Sequence, residues 1–196
     1  MIFFPPSVTL CSISAAAIGP AEACLLLLAD PEWQQIQHYL PHSHCIVIRE
    51  GTESVGLVAI ASVGTGVMEL MNVAVRPDRQ GLGYGRCLVE AAMAYGVAQG
   101  ASRIDVSTGE TSRSALALYH ACGFSVRSID KDYFVRHYSQ PIYEENRQCR
   151  SRITLSWVAR GYQQGLRAGR LVTARGGALC SGESALSLIY PFSSLN

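Results

Sequence analysis

The stretch VMELMNVAVRPDRQGLGYG, residues 67–85, decides the fold of this chain. Its first nine residues are apolar and rich in β-branched side chains, which predicts a strand. Pro77 ends this strand, because proline cannot donate a hydrogen bond to a sheet. Three glycines spaced by two then predict a tight turn, and apolar residues at helical spacing predict a helix from about Arg86.

A strand, a glycine turn and a helix N-terminus together predict an anion-binding site. The first N–H groups of a helix have no acceptor within the helix, and the helix dipole places positive charge there. The natural ligand is therefore a phosphate or pyrophosphate. The turn does not fit the dinucleotide-binding pattern, because its third glycine comes one residue too early. It also lacks the Gly-Lys-Ser/Thr of nucleoside-triphosphate loops.

Two motifs carry a family resemblance. Gln80, Gly83 and Gly85 match Gln/Arg-x-x-Gly-x-Gly/Ala, and residues 112–124, SRSALALYHACGF, are similar to Asn-x-x-Ala…Tyr-x-x-x-Gly-Phe. With both motifs in this order, the chain resembles the GNAT superfamily of acyl-CoA-dependent N-acetyltransferases over roughly residues 8–156. Two later segments, DKDYFVRHY and QCR, resemble a bacterial subgroup of small predicted acetyltransferases.

The resemblance implies an α+β fold, with a mixed, mostly antiparallel central sheet and helices on both faces. The order of elements that the resemblance implies puts the last two long strands at 124–129 and 132–138. We expect one acetyltransferase-like domain over residues 8–156. Residues 157–196 are rich in Gly, Ala, Ser and Arg and lack a periodic core pattern, so we expect a disordered or loosely packed extension.

Composition excludes several classes of function. A formal charge of +1 on 196 residues argues against a nucleic-acid or acidic-membrane partner, and no apolar run reaches the ~20 residues of a membrane span. The seven cysteines include no CxxC pair, which argues against a zinc or redox site and favours reduced thiols in the cytoplasm. No metal is expected, because His42 and His44 lack a second ligand pair and are better explained by a turn.

In this family the pantetheine arm of the cofactor lies along the central strand and its pyrophosphate rests on the glycine turn. The resemblance therefore implies an acetyl-CoA site. The glycines are also compatible with a tight turn that binds no ligand, and Ser112 is also compatible with the N-cap of a helix. The implied cofactor-binding residues are Val73, Ala74, Val75, Arg79, Gln80, Gly81, Leu82, Gly83, Tyr84, Gly85, Arg86, Ser112 and Ser114.

Two residues are candidates for catalysis. The resemblance implies that Tyr119 protonates the departing thiolate, although Tyr119 also continues a buried helical face. The candidate base is Glu69, which in a regular strand would share a face with Met71 and Val73, where burial would raise the pKa of its carboxyl group. Glu110 and a route through water alone remain alternatives.

These implications predict an acetyl-CoA-dependent N-acetyltransferase. It would move an acetyl group to a primary amine of a small molecule or peptide by direct attack in a ternary complex. The alternative is a catalytically degenerate CoA-binding sensor or interaction module. Trp33, His38 and Tyr39 are either acceptor contacts or an aromatic stripe that packs on the sheet. The resemblance is also compatible with a homodimer.

Overall fold

Seven strands form one sheet in a computed structural model that describes residues 8–138, 140–144 and 146–159. Their order is β1-β2-β3-β4-β5-β9-β6. Every neighbouring pair is antiparallel except β4 and β5, which are parallel. The strands of this sheet are β1 (Val8–Ile13), β2 (Ser43–Glu50), β3 (Glu53–Gly64), β4 (Val67–Val75), β5 (Arg103–Gly109), β6 (Ser125–Asp130) and β9 (Arg152–Val158).

Helices cover both faces of the sheet, which confirms the predicted α+β architecture. On one face, α1 and α2 bury Leu26 and Ile36 against Val47 and Leu57. On the other face, α3 and α4 pack on a larger cluster that includes Leu88. A separate hairpin pairs β7 (Ile142–Glu144) with β8 (Arg147–Cys149). The helices are α1 (Pro20–Ala29), α2 (Trp33–Tyr39), α3 (Tyr84–Ala98), α4 (Arg113–Ala121) and α5 (Tyr133–His137).

The strand predicted over residues 132–138 is wrong, because this segment contains helix α5. Asp132, at φ 56°, takes the left-handed conformation two residues after the end of β6, and the chain then enters α5. The aromatic residues then meet at helical spacing, with the rings of Tyr133 and His137 at 4.4 Å between centroids. The strand prediction failed because aromatic residues separated by one to four positions are compatible with both a strand and a short helix.

β4 is not regular, and its irregularity changes which side chains share a face. Ala59 pairs with Asn72 and Ile60 pairs with Leu70, so Met71 is an extra residue in β4. Val73 consequently packs, as Leu70 does, with the cluster around Leu88 that α3 covers (the α3-side cluster). Met71 packs with the cluster around Leu26 that α1 covers (the α1-side cluster). The prediction that Val73 shares a face with Glu69 is therefore wrong.

The division into a domain over residues 8–156 and an extension over 157–196 stays a prediction. β9 continues two residues past that boundary, and Trp157 packs against the α3-side cluster. Residues 160–196 lie outside the described residues. Within the described part of the chain, no helix is long and apolar enough to cross a membrane.

Candidate functional site

The two parallel strands at the centre of the sheet diverge and open a cavity. β4 and β5 pair only where Val67–Leu70 faces Arg103–Val106. Beyond that point β4 continues along β3, and β5 continues along β9. A cavity of about 340 Å³ lies in the gap. It is lined by Leu28, Ala29, Leu70, Met71, Asn72, Val73, Ala74, Val75, Gln80, Val106, Ser107, Thr108, Thr111, Ser112, Arg113, Ser114, Ala115, Tyr119 and Glu144.

The glycine turn opens α3 as the sequence predicts. Gly81 and Gly83 have φ of 77° and 88°, a left-handed conformation that side chains other than glycine rarely adopt. The first hydrogen bond of α3 runs from Cys87 N–H to Gly83 O at 3.0 Å, so the N–H groups of Gly85 and Arg86 have no acceptor within the helix. A Cβ built on Gly81 meets nothing within 4 Å, which leaves room for an anion.

Gly85 also has a packing role that the sequence analysis did not assign. A Cβ at this position would lie 3.3 Å from Leu118 Cδ2, so the absence of a side chain lets α3 approach α4 closely. Leu82, between the two left-handed glycines, is 52% exposed. It is not among the described residues that line the cavity.

Two predicted cofactor residues point toward Glu50 rather than into the cavity. The Arg79 guanidinium pairs with Glu50 at 2.9 Å and with Asp78 at 2.9 Å. The Tyr84 hydroxyl, on a buried side chain, donates to Glu50 Oε1 at 2.7 Å. These contacts lower the pKa of the Glu50 carboxyl, chiefly through the Tyr84 hydrogen bond and then the Arg79 bond. The three side chains therefore hold the glycine turn against the end of β2.

Gln80 and Arg86 are also engaged by the protein. Gln80 Nε2 donates to Val75 O at 3.1 Å, which ties the turn to the end of β4. Arg86 pairs with Glu90 at 2.7 Å, one turn further along α3. Of these side chains only Gln80 lines the cavity, so the turn presents mainly backbone groups to it.

Tyr119 lies on α4 at the wall of the cavity and is 6% exposed. Burial raises the pKa of its phenol well above the ordinary value of 10.0, and the nearby Cys122 adds to the effect. The phenol therefore keeps its proton throughout the neutral range. This protonation state is the one that a general acid requires.

The hydroxyl of Ser112 binds a carboxylate that the sequence analysis did not single out. Ser112 occupies the N-cap position of α4, but its side chain makes no capping hydrogen bond, so the interpretation as a side-chain cap is wrong. It donates instead to Glu144 Oε2 at 2.7 Å, and Thr111 donates to the same oxygen at 2.8 Å. Glu144 thereby anchors the β7–β8 hairpin beside the cavity. Ser114 lines the same wall.

Glu69 lies on the face of β4 opposite to Leu70, beside the cavity-lining residue Ser107. Its Oε1 accepts a hydrogen bond of 3.2 Å from Ser107, whose hydroxyl also exchanges a hydrogen bond of 3.1 Å with Thr154. Ser107 lines the cavity and Glu69 does not. Burial raises the pKa of the Glu69 carboxyl, and the charge of Asp105 acts in the same direction.

The alternative base, Glu110, has the opposite electrostatics. Its side chain is exposed, and a hydrogen bond from Ser151 is the main reason that the pKa of its carboxyl is lowered. The backbone N–H of Arg150 also donates to it at 3.2 Å. A carboxylate stabilised in this way is a weaker proton acceptor than Glu69.

Asn72 is a polar wall residue that sequence reasoning missed. The side chain is buried and donates to Leu26 O at 2.9 Å and to the Tyr39 hydroxyl at 3.0 Å. Its Oδ1 is buried without a partner among the described residues. Burial raises the pKa of Tyr39 to about 12. Tyr39 thus supports the wall from behind, while Trp33 and His38 are exposed.

Among the residues that the structure describes, no group of three or more His, Cys, Asp or Glu side chains could hold a metal ion.

Comparisons with known proteins agree with this architecture. Residues 19–124 match the model of the acetyltransferase (GNAT) family. An uncharacterized N-acetyltransferase, YvbK of Bacillus subtilis, is 37% identical over 131 residues, which span 67% of this chain and 84% of that protein.

Two solved structures are similar to this one. An IAA acetyltransferase from Bacillus cereus is 39% identical, with a TM-score of 0.72, covering 78% of this chain and 99% of its own. A Bacillus subtilis acetyltransferase in complex with CoA is 32% identical, with a TM-score of 0.73, covering 77% of this chain and 98% of its own.

The raised pKa of Glu69 predicts a pH-dependent effect on folding. The folded chain holds the Glu69 proton more tightly than the unfolded chain, so ionising this carboxyl costs stability as the pH rises through the folded pKa. Glu69→Gln removes that cost and keeps an acceptor for Ser107. The unfolding free energy of the variant relative to wild type should increase between about pH 5 and about pH 8 in urea titrations. A difference that stays constant or falls over this range would contradict the assignment.

Proposed function

The chain belongs to the acetyltransferase (GNAT) family, and from this premise we propose that it moves an acetyl group from acetyl-CoA to a primary amine of a small molecule or peptide. The transfer proceeds by direct attack in a ternary complex. The observation that carries the proposal is the cavity between the diverging strands, which joins Tyr119 and the open edge of β4.

The residues at this site fit acetyl-CoA. Past Leu70, the edge of β4 that faces β5 has no strand partner in the described residues, although β3 still pairs with the other edge. A pantetheine arm carries amide groups that can bond to such an edge as an added strand would. Val73, Ala74 and Val75 would hold the arm, flanked by Ser112 and Ser114.

The glycine turn fits the pyrophosphate of the same ligand. The backbone N–H groups between Gly81 and Arg86, including those of Leu82, Gly83 and Gly85, would bind its oxygens at the positive end of α3. Arg79 and Tyr84 would act indirectly, because their contacts with Glu50 hold the turn. Gln80 would keep the turn close to Val75.

Bound acetyl-CoA supplies a thioester, whose carbonyl carbon accepts the amine and whose C–S bond breaks. Glu69 takes one proton from the ammonium form of the acceptor before attack, with Ser107 between this carboxylate and the cavity. A second proton leaves the nitrogen as the C–N bond forms. Water takes this proton, and a proton from water restores the Tyr119 phenol after it has protonated the departing sulfur. An amine and a thioester thus become an amide and a thiol.

The lining of the cavity supports direct attack. None of its described residues is a cysteine, so no thiol is positioned there to carry the acetyl group in a covalent intermediate. The burial of Glu69 behind Ser107 is the observation that favours the alternative function, a CoA-binding sensor without transfer. Turnover of an amine distinguishes the two functions.

The glycine turn offers a matched test of cofactor binding. Gly81 and Gly100 have φ of 77° and 84°, and a Cβ at either position meets nothing within 4 Å. Tryptophan therefore brings similar backbone strain at both positions, but only Gly81 lies in the turn. In calorimetric titrations with CoA, Gly81→Trp should weaken binding by about tenfold or more, through loss of at least one hydrogen bond to a charged group.

Gly100→Trp, at the far end of α3, should bind CoA as the wild type does. Equal affinities for the two variants would exclude the turn as the pyrophosphate site. An absence of CoA binding by the folded wild type would reject both the transferase and the sensor functions.

Loss of the Tyr119 hydroxyl should slow turnover without affecting cofactor affinity. Tyr119→Phe keeps the buried ring but removes the proton donor, so kcat should fall by about a hundredfold while the Kd for CoA is unchanged. The control is Tyr143→Phe, which alters an exposed tyrosine. Thiol release from acetyl-CoA with a panel of amines measures the rate. An unchanged kcat in Tyr119→Phe would remove Tyr119 from the mechanism.

A further inference from the structure

Arg152 is a partly buried cation that forms no salt bridge with a described carboxylate, although its charge partly offsets the burial that raises the pKa of the Glu69 carboxyl. Its Nε is buried and donates to no described group. Two other arginines without an ion pair, Arg113 and Arg147, are exposed, so water can solvate them. Eight more arginines each pair with a carboxylate: Arg49, Arg76, Arg79, Arg86, Arg103, Arg127, Arg136 and Arg150. A buried polar group left in this state requires an explanation.

The position of Arg152 in β9 places it on the same face of the sheet as the candidate base. Alternate residues of β9 face the same side, and the nearest such neighbour of Arg152 is Thr154. Thr154 shares a hydrogen bond with Ser107, which donates to Glu69. Leu155, by contrast, packs in the core on the opposite face. The same face of the sheet therefore carries Glu69, Ser107, Thr154 and Arg152, of which Ser107 lines the cavity.

An aromatic ring fixes the plane of the Arg152 guanidinium. Its central carbon lies 4.0 Å from the centroid of the Tyr133 ring, on α5. This cation–π contact covers one face of the guanidinium. A planar guanidinium approached at its edge matches the two oxygens of a carboxylate.

We propose that Arg152 binds a carboxylate of the acceptor, and that the acceptor is therefore a small amino-carboxylate such as a free amino acid. Its amine would lie toward Glu69 and Ser107, and its carboxylate would lie on Arg152. The ammonium group of such an acceptor complements Glu69, and its carboxylate complements Arg152. This inference rests on the proposed transferase function.

A purely electrostatic role for Arg152 predicts something different. In that case the guanidinium only balances the charge of Glu69, and its removal would alter the reaction of every amine in the same way. A carboxylate-binding role predicts a loss that depends on the acceptor. The discrimination between two acceptors that differ only in the carboxylate therefore separates the two roles.

The test compares amino acids with their carboxamides, for instance phenylalanine and phenylalaninamide, with rates referred to the free-amine fraction of each. The wild type should favour the carboxylate by about ten- to a hundredfold in kcat/KM, the range expected for a hydrogen bond to a charged group. Arg152→Gln should abolish this preference, because its loss of kcat/KM on the carboxylate should exceed its loss on the carboxamide by about ten- to a hundredfold. Arg150→Gln, which removes an exposed arginine paired with Asp132, should retain the preference.

Equal wild-type rates for the acid and the amide would overturn the inference, as would equal losses on both in Arg152→Gln. This comparison between substrates needs only the wild type, so it holds even if the variant does not fold. If the wild type binds CoA but acetylates no amino acid, the inference fails and the cofactor site stands. If it binds no CoA, the proposed function itself fails.

Discussion

The divergence of β4 from β5 is the constraint on which the rest of the site depends. Two parallel strands that stayed paired would satisfy each other's backbone groups and close the centre of the sheet. Here pairing ends at Leu70 and Val106, while the outer partners of both strands continue. The extra residue at Met71 lies one position beyond the end of that pairing. It keeps Val73 on the apolar α3 side and turns Asn72 toward Leu26 on α1.

Burial acts on the two candidate catalytic groups with opposite chemical consequences. It raises the pKa of the Tyr119 phenol, which keeps the proton that a departing thiolate needs. It also raises the pKa of the Glu69 carboxyl, which makes this group a better acceptor for a proton from an amine. One physical effect, the removal of water from ionisable groups, thus suits Tyr119 and Glu69 to the roles of acid and base in the proposed mechanism.

The parts of the fold that could be predicted from the sequence follow from local backbone rules. A proline that ends a strand, glycines that require left-handed φ and apolar residues at helical spacing are readable within a few positions. Helix α5 was missed because contacts among Tyr133, Phe134 and Arg150 hold it in place, and Arg150 lies far along the chain. The bulge at Met71 was missed because register depends on the neighbouring strand.

The site residues that sequence analysis did not find depend on contacts between distant segments. Glu144 meets Ser112 across 32 positions, and Asn72 meets Leu26 across 46. The Arg152 guanidinium contacts the ring of Tyr133, which lies in helix α5, where the sequence analysis expected a strand. None of these residues belongs to a local motif. Each became recognisable only when the sheet had brought its neighbours together.

Hydrogen–deuterium exchange with and without CoA tests most directly whether the open edge of β4 holds the cofactor. Saturating CoA should slow amide exchange in peptides covering residues 71–75 and 81–86. Exchange in β1, at the far edge of the sheet, should stay unchanged. Protection of the glycine turn alone, with β4 exchanging as in the free protein, would contradict the claim that the diverging strands form the binding site.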